Sequence, residues 1–299
     1  MSTASAPTTP GAKFRQALAE NDPLQIVGTI NAYTAIMAER IGHRAVYLSG
    51  GACANMSFGL PDLGMTNLMD VVEDARRITA AVDTPLMVDI DTGWGGAFNI
   101  ARAVKEMERA QVAAVHIEDQ VAQKRCGHRP NKEIVRTCEM VDRIKAAVDA
   151  RKDSDFFIVA RTDAYASEGL SGALERANEY QHAGADGIFA EAMHDIHEYK
   201  AFKSSCTLPL LANMTEFGQS PLYSKPELKK VGVNMVLYPL TAARAMNRAA
   251  ENVYKTLLDE ESQSTLIESM QTRQELYQYL NYNEYESKLD TLFSQGKHL

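Results

Sequence analysis

Residues 85–119 read PLMVDIDTGWGGAFNIARAVKEMERAQVAAVHIED. The segment opens on a short apolar run, Pro85–Asp89, and crosses a glycine-rich turn. It continues over Asn99–Ala110 with apolar residues at helical spacing and closes on a second run, Ala113–Glu118. Strand, amphipathic helix, strand is the repeating unit of a parallel sheet. The rhythm extends in both directions, through Gln25–Asn31 and Ala45–Ser49 before it and Phe156–Arg161, Gly187–Glu191, Pro209–Asn213 and Asn234–Tyr238 after it. Helical segments at Thr66–Val82, Thr137–Ala150, Ser171–Ala183 and Ser224–Val231 lie between, several opened by Ser, Thr or Asn in capping position. Eight such units predict a closed (β/α)8 barrel, a TIM barrel, rather than an open sheet.

The ends of the runs support the barrel. They stop on Asn31, Ser49, Asp89, Glu118, Arg161, Glu191, Asn213 and Tyr238, each a group able to do chemistry. A barrel gathers its strands' carboxyl ends into one site, whereas an open sheet uses only those around its switch point. Residues 1–13 read as a flexible Ser/Thr/Ala/Pro-rich tail, and 14–299 as one barrel domain whose C-terminal helical extension spans about 241–299. The extension carries Ala242–Asp259, Leu266–Leu280 and Glu284–Phe293, and its tyrosines (Tyr277, Tyr279, Tyr282, Tyr285) suit either a lid on the barrel or a subunit contact.

Composition limits the function classes. The 299 residues include 31 Lys and Arg against 39 Asp and Glu, a net charge of −8, with 45% hydrophobic and 23% charged residues. An acidic chain without a basic face does not favour nucleic acid, and no apolar run approaches the roughly 18 residues of a membrane span. The start carries neither the apolar core of a signal peptide nor an Arg-rich transit pattern, so a cytoplasmic protein is expected. Cys53, Cys126, Cys138 and Cys206 form no C-x-x-C pair and are expected as thiols.

Asp89 and Asp91 stand at i and i+2 at the end of the third run, hard oxygen donors at the spacing that suits Mg²⁺, with Glu118 and Asp119, closing the next run, able to complete the site directly or through water. Lys124-Arg125-Cys126-Gly127-His128-Arg129-Pro130 surrounds one cysteine with positive charge, a field expected to lower the thiol pKa and to attract an anionic substrate. Whether that cysteine works as acid or base is open on composition alone. Arg161, Asn213, Thr215 and Arg244 describe a cavity for carboxylates, and Ser49-Gly50-Gly51 offers backbone N–H groups. Cys53, Cys138 and Cys206 read as packing residues, and His194 and His197 as solvent-facing histidines.

Over nearly the whole chain, from about Phe14, the sequence resembles the isocitrate lyase and phosphoenolpyruvate mutase superfamily. The most specific likeness is Lys124-Arg125-Cys126-Gly127-His128; Tyr47–Gly51, Val88–Asp91, Asn213–Phe217 and Tyr238–Leu240 add to it. The likeness is strongest to the branch that splits 2-methylisocitrate. It implies a Mg²⁺-dependent barrel, with Mn²⁺ as a substitute, that exchanges a C-terminal helix between subunits in a homotetramer. It further implies cleavage of a small tricarboxylate, 2-methylisocitrate, to pyruvate and succinate in propionate catabolism by the methylcitrate route. In that scheme Asp89 and Asp91 hold the metal, with Asp62 and Glu118 in its water shell. Ser49, Gly50, Gly51, Gly127, Arg161, Glu191, Asn213, Met214, Thr215, Arg244 and Arg273 meet substrate. Tyr47 is the candidate base, and Cys126, flanked by Lys124, Arg125 and His128, protonates the carbanion. Phe189 and Leu237 stand where isocitrate lyases tend to carry Trp and Thr, leaving room for an extra methyl. Asn55-Met56-Ser57 and Trp94-Gly95-Gly96 depart from the family's usual blocks. Isocitrate cleavage, action on oxaloacetate or phosphonopyruvate, and a non-catalytic binding barrel are the alternatives.

Overall fold

The strands are apolar on both faces, as strands sandwiched between a barrel interior and a layer of helices must be. The computed structural model describes residues 9–128 and 132–294. Its strands are β1 (Leu24–Gly28), β2 (Val46–Leu48), β3 (Leu86–Asp89), β4 (Ala114–Glu118), β5 (Phe157–Thr162), β6 (Gly187–Ala190), β7 (Leu210–Asn213) and β8 (Met235–Tyr238). They close in sequence order into a barrel, β8 pairing with β1, and all neighbours are parallel. The helices are α1 (Pro10–Glu20), α2 (Ala32–Ile41), the single turn α3 (Gly50–Ala52), α4 (Leu68–Thr79), α5 (Ala97–Arg109), α6 (Thr137–Ala150), α7 (Tyr165–His182), α8 (Ile196–Ser205), α9 (Lys225–Lys230), α10 (Thr241–Glu260), α11 (Arg273–Tyr279) and α12 (Tyr282–Ser294). The chain divides into a unit ending at Ala243, which is the barrel, and a second, helical unit from Arg244 on.

The predicted strands agree with the structure except at the first. The run Gln25–Asn31 was expected to be strand throughout, but β1 ends at Gly28, and Asn31 instead caps α2, its side chain accepting the backbone N–H of Thr34 at 2.9 Å. A capping Asn and a strand-end Asn look alike in sequence. Helix α1 begins at Pro10 behind Thr9, and residues 1–8 of the expected tail lie outside the described ones.

Strand parity places the site. Val46 and Leu48, Leu86 and Val88, Val115 and Ile117, and Ile158 and Ala160 turn outward into the core shared with the helices. Their alternates Tyr47, Met87, Ala114, Phe157, Val159, Phe189, Leu211, Met235 and Leu237 fill the barrel, joined by Phe14 and Ala17 of α1. Two-residue alternation then commits Asp89, His116, Glu118, Arg161, Glu191 and Asn213 to the inward face at the carboxyl ends. Closure is tight at the β1–β8 seam, where a Cβ on Gly28 would lie 1.9 Å from the Pro239 carbonyl oxygen. Gly28→Ala is therefore expected to cost about 3 kcal/mol of stability through forced backbone movement, read as a lowered midpoint of thermal unfolding; an unchanged midpoint would show that the seam yields.

Candidate active site

Three carboxylates gather above the first turn of α3. The backbone N–H of Gly50 donates to Asp89 Oδ2 at 3.2 Å, and that of Asp91 donates to Asp89 Oδ1 at 2.9 Å. A Cβ on Gly50 would stand 3.1 Å from both Asp89 Oδ2 and Asp91 Oδ1, and one on Gly51 would stand 3.0 Å from Asp62 Oδ2. The two glycines are thus what lets the carboxylates close on the turn. Ser49, buried, caps the same turn, its Oγ accepting the Ala52 N–H at 3.3 Å.

Burial and the adjacent Asp89 charge push the Asp91 carboxyl up. Burial acts on Asp89 as well, but the surrounding positive charge, Lys124 and Arg161 included, holds it below its ordinary value. Lys124 Nζ lies 2.7 Å from Asp91 Oδ1 and also pairs with Asp62. The Asp91 oxygen is buried without a well-aligned hydrogen bond. Two converging acids with one lysine between three carboxylates fit a divalent cation that takes one or two carboxylates and keeps its waters. Among the described residues no three His, Cys, Asp or Glu side chains are grouped to hold a metal unaided.

Across the mouth, Arg161 is ringed by acids. Its Nε and Nη2 donate to Asp163 at 2.9 and 3.1 Å, Nε lies 3.3 Å from Glu118 Oε2, and Nη2 lies 3.2 Å from Glu191 Oε2. The guanidinium stacks on the buried Phe189 ring at 5.0 Å. Burial opposes ionisation of Glu191, yet Arg161 and then His128 hold its carboxyl far below the usual range. Asn213 Nδ2 donates to both Glu191 oxygens at 3.4 Å, while its own buried Oδ1 has no partner. Glu118 also accepts from Gln120 Nε2 at 3.0 Å.

The segment after β4 is laid onto this frame. Gly127 is pressed so closely on the Arg161–Glu191 pair that a Cβ would come 2.3 Å from Arg161 Nη2. His128 Nε2 is 2.9 Å from Glu191 Oε1, and its Nδ1 accepts the Gln219 N–H at 3.0 Å. Arg125 is exposed and takes part through its backbone, its N–H donating to Gln120 Oε1 at 3.0 Å. The expected thiolate does not materialise. Cys126 reaches the surface, but atoms packed about its sulfur push the thiol up from its ordinary value, which the His128 N–H and Arg161 only partly offset. Of the cations that were to lower it, Lys124 is paired with Asp62 and Asp91 and His128 with Glu191, the Arg125 side chain is exposed, and Arg129 lies outside the described residues.

Tyr47 meets His116, the phenol oxygen lying 2.9 Å from Nε2. Burial, then Asp89, raises the Tyr47 hydroxyl well above its ordinary value, while burial lowers His116 to about 4, so both are neutral at pH 7. His116 Nε2 is also 3.6 Å from Asp89 Oδ1. Leu237 lies in the barrel interior and Thr215 is buried just beyond β7. Met214 packs its side chain into the outer core, so the structure does not bring it to the group. Arg244 stands on α10 and Arg273 opens α11, both in the helical unit. His194 and His197 are exposed, as expected. Sequence reasoning missed His116, although it lies two residues before Glu118 on the same face, and it missed Asp163 and Lys132, which join at 2.7 Å.

The geometry has close counterparts. The profile of the phosphoenolpyruvate phosphomutase family matches residues 14–258. The 2-methylisocitrate lyase of Vibrio cholerae serotype O1 is 63% identical over 292 residues, 96% of this chain and 95% of that one. That of Escherichia coli K12 is 56% identical over 289 residues, 96% and 98% of the two chains. Among solved structures, 2,3-dimethylmalate lyase superposes with a TM-score of 0.87 at 32% identity, covering 96% of both chains. Phosphonopyruvate hydrolase, in complex with oxalate and Mg²⁺, gives 0.83 at 27% identity over 95% and 98%. With the family's profile spanning the barrel and full-length relatives above half identity, the chain belongs to the phosphoenolpyruvate mutase and isocitrate lyase superfamily, in its 2-methylisocitrate lyase family.

Proposed function

We propose that this protein is a magnesium-dependent carbon–carbon lyase that cleaves 2-methylisocitrate to pyruvate and succinate, serving propionate catabolism by the methylcitrate route. The observation that carries the reading is the placement of Cys126, whose neighbour Gly127 is seated against the Arg161–Glu191 pair, in a mouth that also holds the Asp89–Asp91 pair. Asp89 and Asp91 would hold Mg²⁺, or Mn²⁺ in its place, with Asp62 and Glu118 on its waters. The chemistry the ion supplies when bound is Lewis acidity, a lower pKa for the substrate's hydroxyl.

The chain's own groups account for the rest. Arg161, Asn213 and Thr215 bind substrate carboxylates. Tyr47 accepts the hydroxyl proton as it passes its own to the neutral His116, 2.9 Å away. The C–C bond breaks, its electron pair passing into the succinate carbanion and its carboxylate, and fixed donors stabilise the charge. Cys126 gives that carbon its S–H proton. Phe189 and Leu237 supply the apolar contact for the methyl.

A homotetramer with exchanged C-terminal helices accompanies this reading. In the helical unit Leu258 is 81% exposed and Phe293 64%, apolar surface of the kind that marks subunit contacts. No helix among the described residues is long and apolar enough to cross a membrane. We place the enzyme in the cytoplasm, where a working thiol stays reduced.

The test is product formation from 2-methylisocitrate and isocitrate, each with Mg²⁺ and with chelator. Pyruvate and succinate are expected from the first, at least tenfold faster than glyoxylate from the second, since one methyl contributes about 1–3 kcal/mol; chelator abolishes both. Turnover of oxaloacetate or phosphonopyruvate with neither isocitrate cleaved overturns the reading.

A further inference from the structure

Three basic side chains spaced four apart, Lys124, His128 and Lys132, each end on a buried carboxylate of the barrel mouth: Asp91, Glu191 and Asp163. The first two contacts belong to the site already described. The third stands behind it. Lys132 Nζ lies 2.7 Å from Asp163 Oδ1, with the two side chains 3% and 0% exposed. Asp163 also receives Arg161 through two hydrogen bonds, so one carboxylate is shared between the arginine of the mouth and the far end of the segment that carries Cys126.

Asp163 is itself held from behind. Its backbone N–H donates to Asp119 Oδ1 at 2.8 Å. Asp119 Oδ2 accepts from Thr162 Oγ1 at 2.8 Å and Tyr180 Oη at 2.7 Å, with Arg176 Nη1 at 3.4 Å. The Asp119 carbonyl accepts the Val135 N–H at 2.8 Å, fixing the return of the same segment. A buried carboxylate with two cations in contact anchors both, because withdrawing either leaves charge uncompensated in a dry environment.

We propose that Lys132 and Asp163 form a clasp of positioning residues: it keeps residues 124–128, with Cys126 among them, seated on the Arg161–Glu191 pair and aims the Arg161 guanidinium into the mouth. The clasp touches no substrate and rests, for its catalytic meaning, on the assignment of Cys126 as proton donor. Its effect is geometric. Gly127 has no clearance above Arg161, so Cys126, its neighbour, is placed only while the segment is down. A displacement of about 1 Å at a reacting group costs about a hundredfold in rate.

The experiment replaces Lys132 by methionine, which keeps the buried stem and removes the charge, and by glutamine, which keeps a donor. Two readouts are taken on the full chain. The first is the rate of iodoacetamide alkylation at Cys126, followed peptide by peptide against the exposed Cys138, with the buried Cys53 and Cys206 reporting the fold. The second is kcat and KM with 2-methylisocitrate. Release of the clasp is expected to raise Cys126 alkylation about tenfold as the segment opens locally, with Cys138 unchanged. The rate kcat falls about tenfold to a hundredfold with a smaller change in KM, and Lys132→Arg recovers most of both. Alkylation needs no substrate, so this arm stands even if the lyase reading fails. Cys126 alkylating at the wild-type rate in both variants overturns the clasp.

Discussion

Replacing Cys126 by serine is expected to lower kcat about a thousandfold, within the 10²–10⁴ range of a positioned general acid, while KM stays within a few-fold. The hydroxyl has nearly the thiol's size, so Gly127 still seats on the Arg161–Glu191 pair and the carboxylate-binding groups are untouched. What is lost is acidity. An alcohol is a far weaker acid than a thiol, and the carbanion is left without its proton. The pH dependence separates this role from a thiolate's. Burial raises the Cys126 pKa, so the protonated, active form persists through neutral pH. Wild-type kcat is expected to fall only as pH rises through that elevated value, whereas a thiolate donor poised by positive charge would already fail near neutrality. Steady-state rates from pH 6 upward decide it. An alkaline loss setting in below the ordinary thiol range, or a Cys126→Ser enzyme at wild-type rate, sinks the assignment.

The barrel was legible because two periodicities coincide along the chain: apolar runs of strand length, and a polar ending on each. Parity then carried Asp89, Glu118, Arg161, Glu191 and Asn213 inward together. The same parity points to His116, which was missed because only the last residue of each run was weighed. The charge state of Cys126 was not legible, for a physical reason. A sequence shows how many cations flank a thiol but not which acids have already taken them. Lys124 is claimed by Asp62, a residue 62 positions away, and Lys132 by Asp163, 31 positions away. Pairings between loops that converge only when the barrel closes leave no local pattern. Asn31 shows the opposite difficulty: a strong local pattern with two meanings, resolved only when its side chain bonds the first turn of α2.

Replacing Asp91 by asparagine separates the metal's contribution from the fold's, because the two effects have opposite sign. Asp62 and Asp91 share one ammonium, that of Lys124, and burial with Asp89 already pushes the Asp91 carboxyl up. Neutralising Asp91 removes a buried like-charge repulsion, and Lys124 keeps Asp62. The metal-free Asp91→Asn protein is therefore expected to melt no lower than metal-free wild type. Its response to Mg²⁺ should vanish. A ligand present at a hundred times its dissociation constant stabilises the state it binds by about 2.7 kcal/mol, a shift of a few degrees for a chain of this size. Loss of a first carboxylate at a site offering only two leaves the ion too weakly held to produce it. Turnover should fall by about a thousandfold or more, as the hydroxyl pKa returns toward that of a free alcohol. The decisive measurement is the melting temperature of both proteins with and without Mg²⁺, taken beside Mn²⁺ binding by titration calorimetry. If Asp91→Asn keeps the wild-type shift and the wild-type affinity, the ion is not held by the Asp89–Asp91 pair, and the convergence of those carboxylates over Gly50 serves only to bind Lys124.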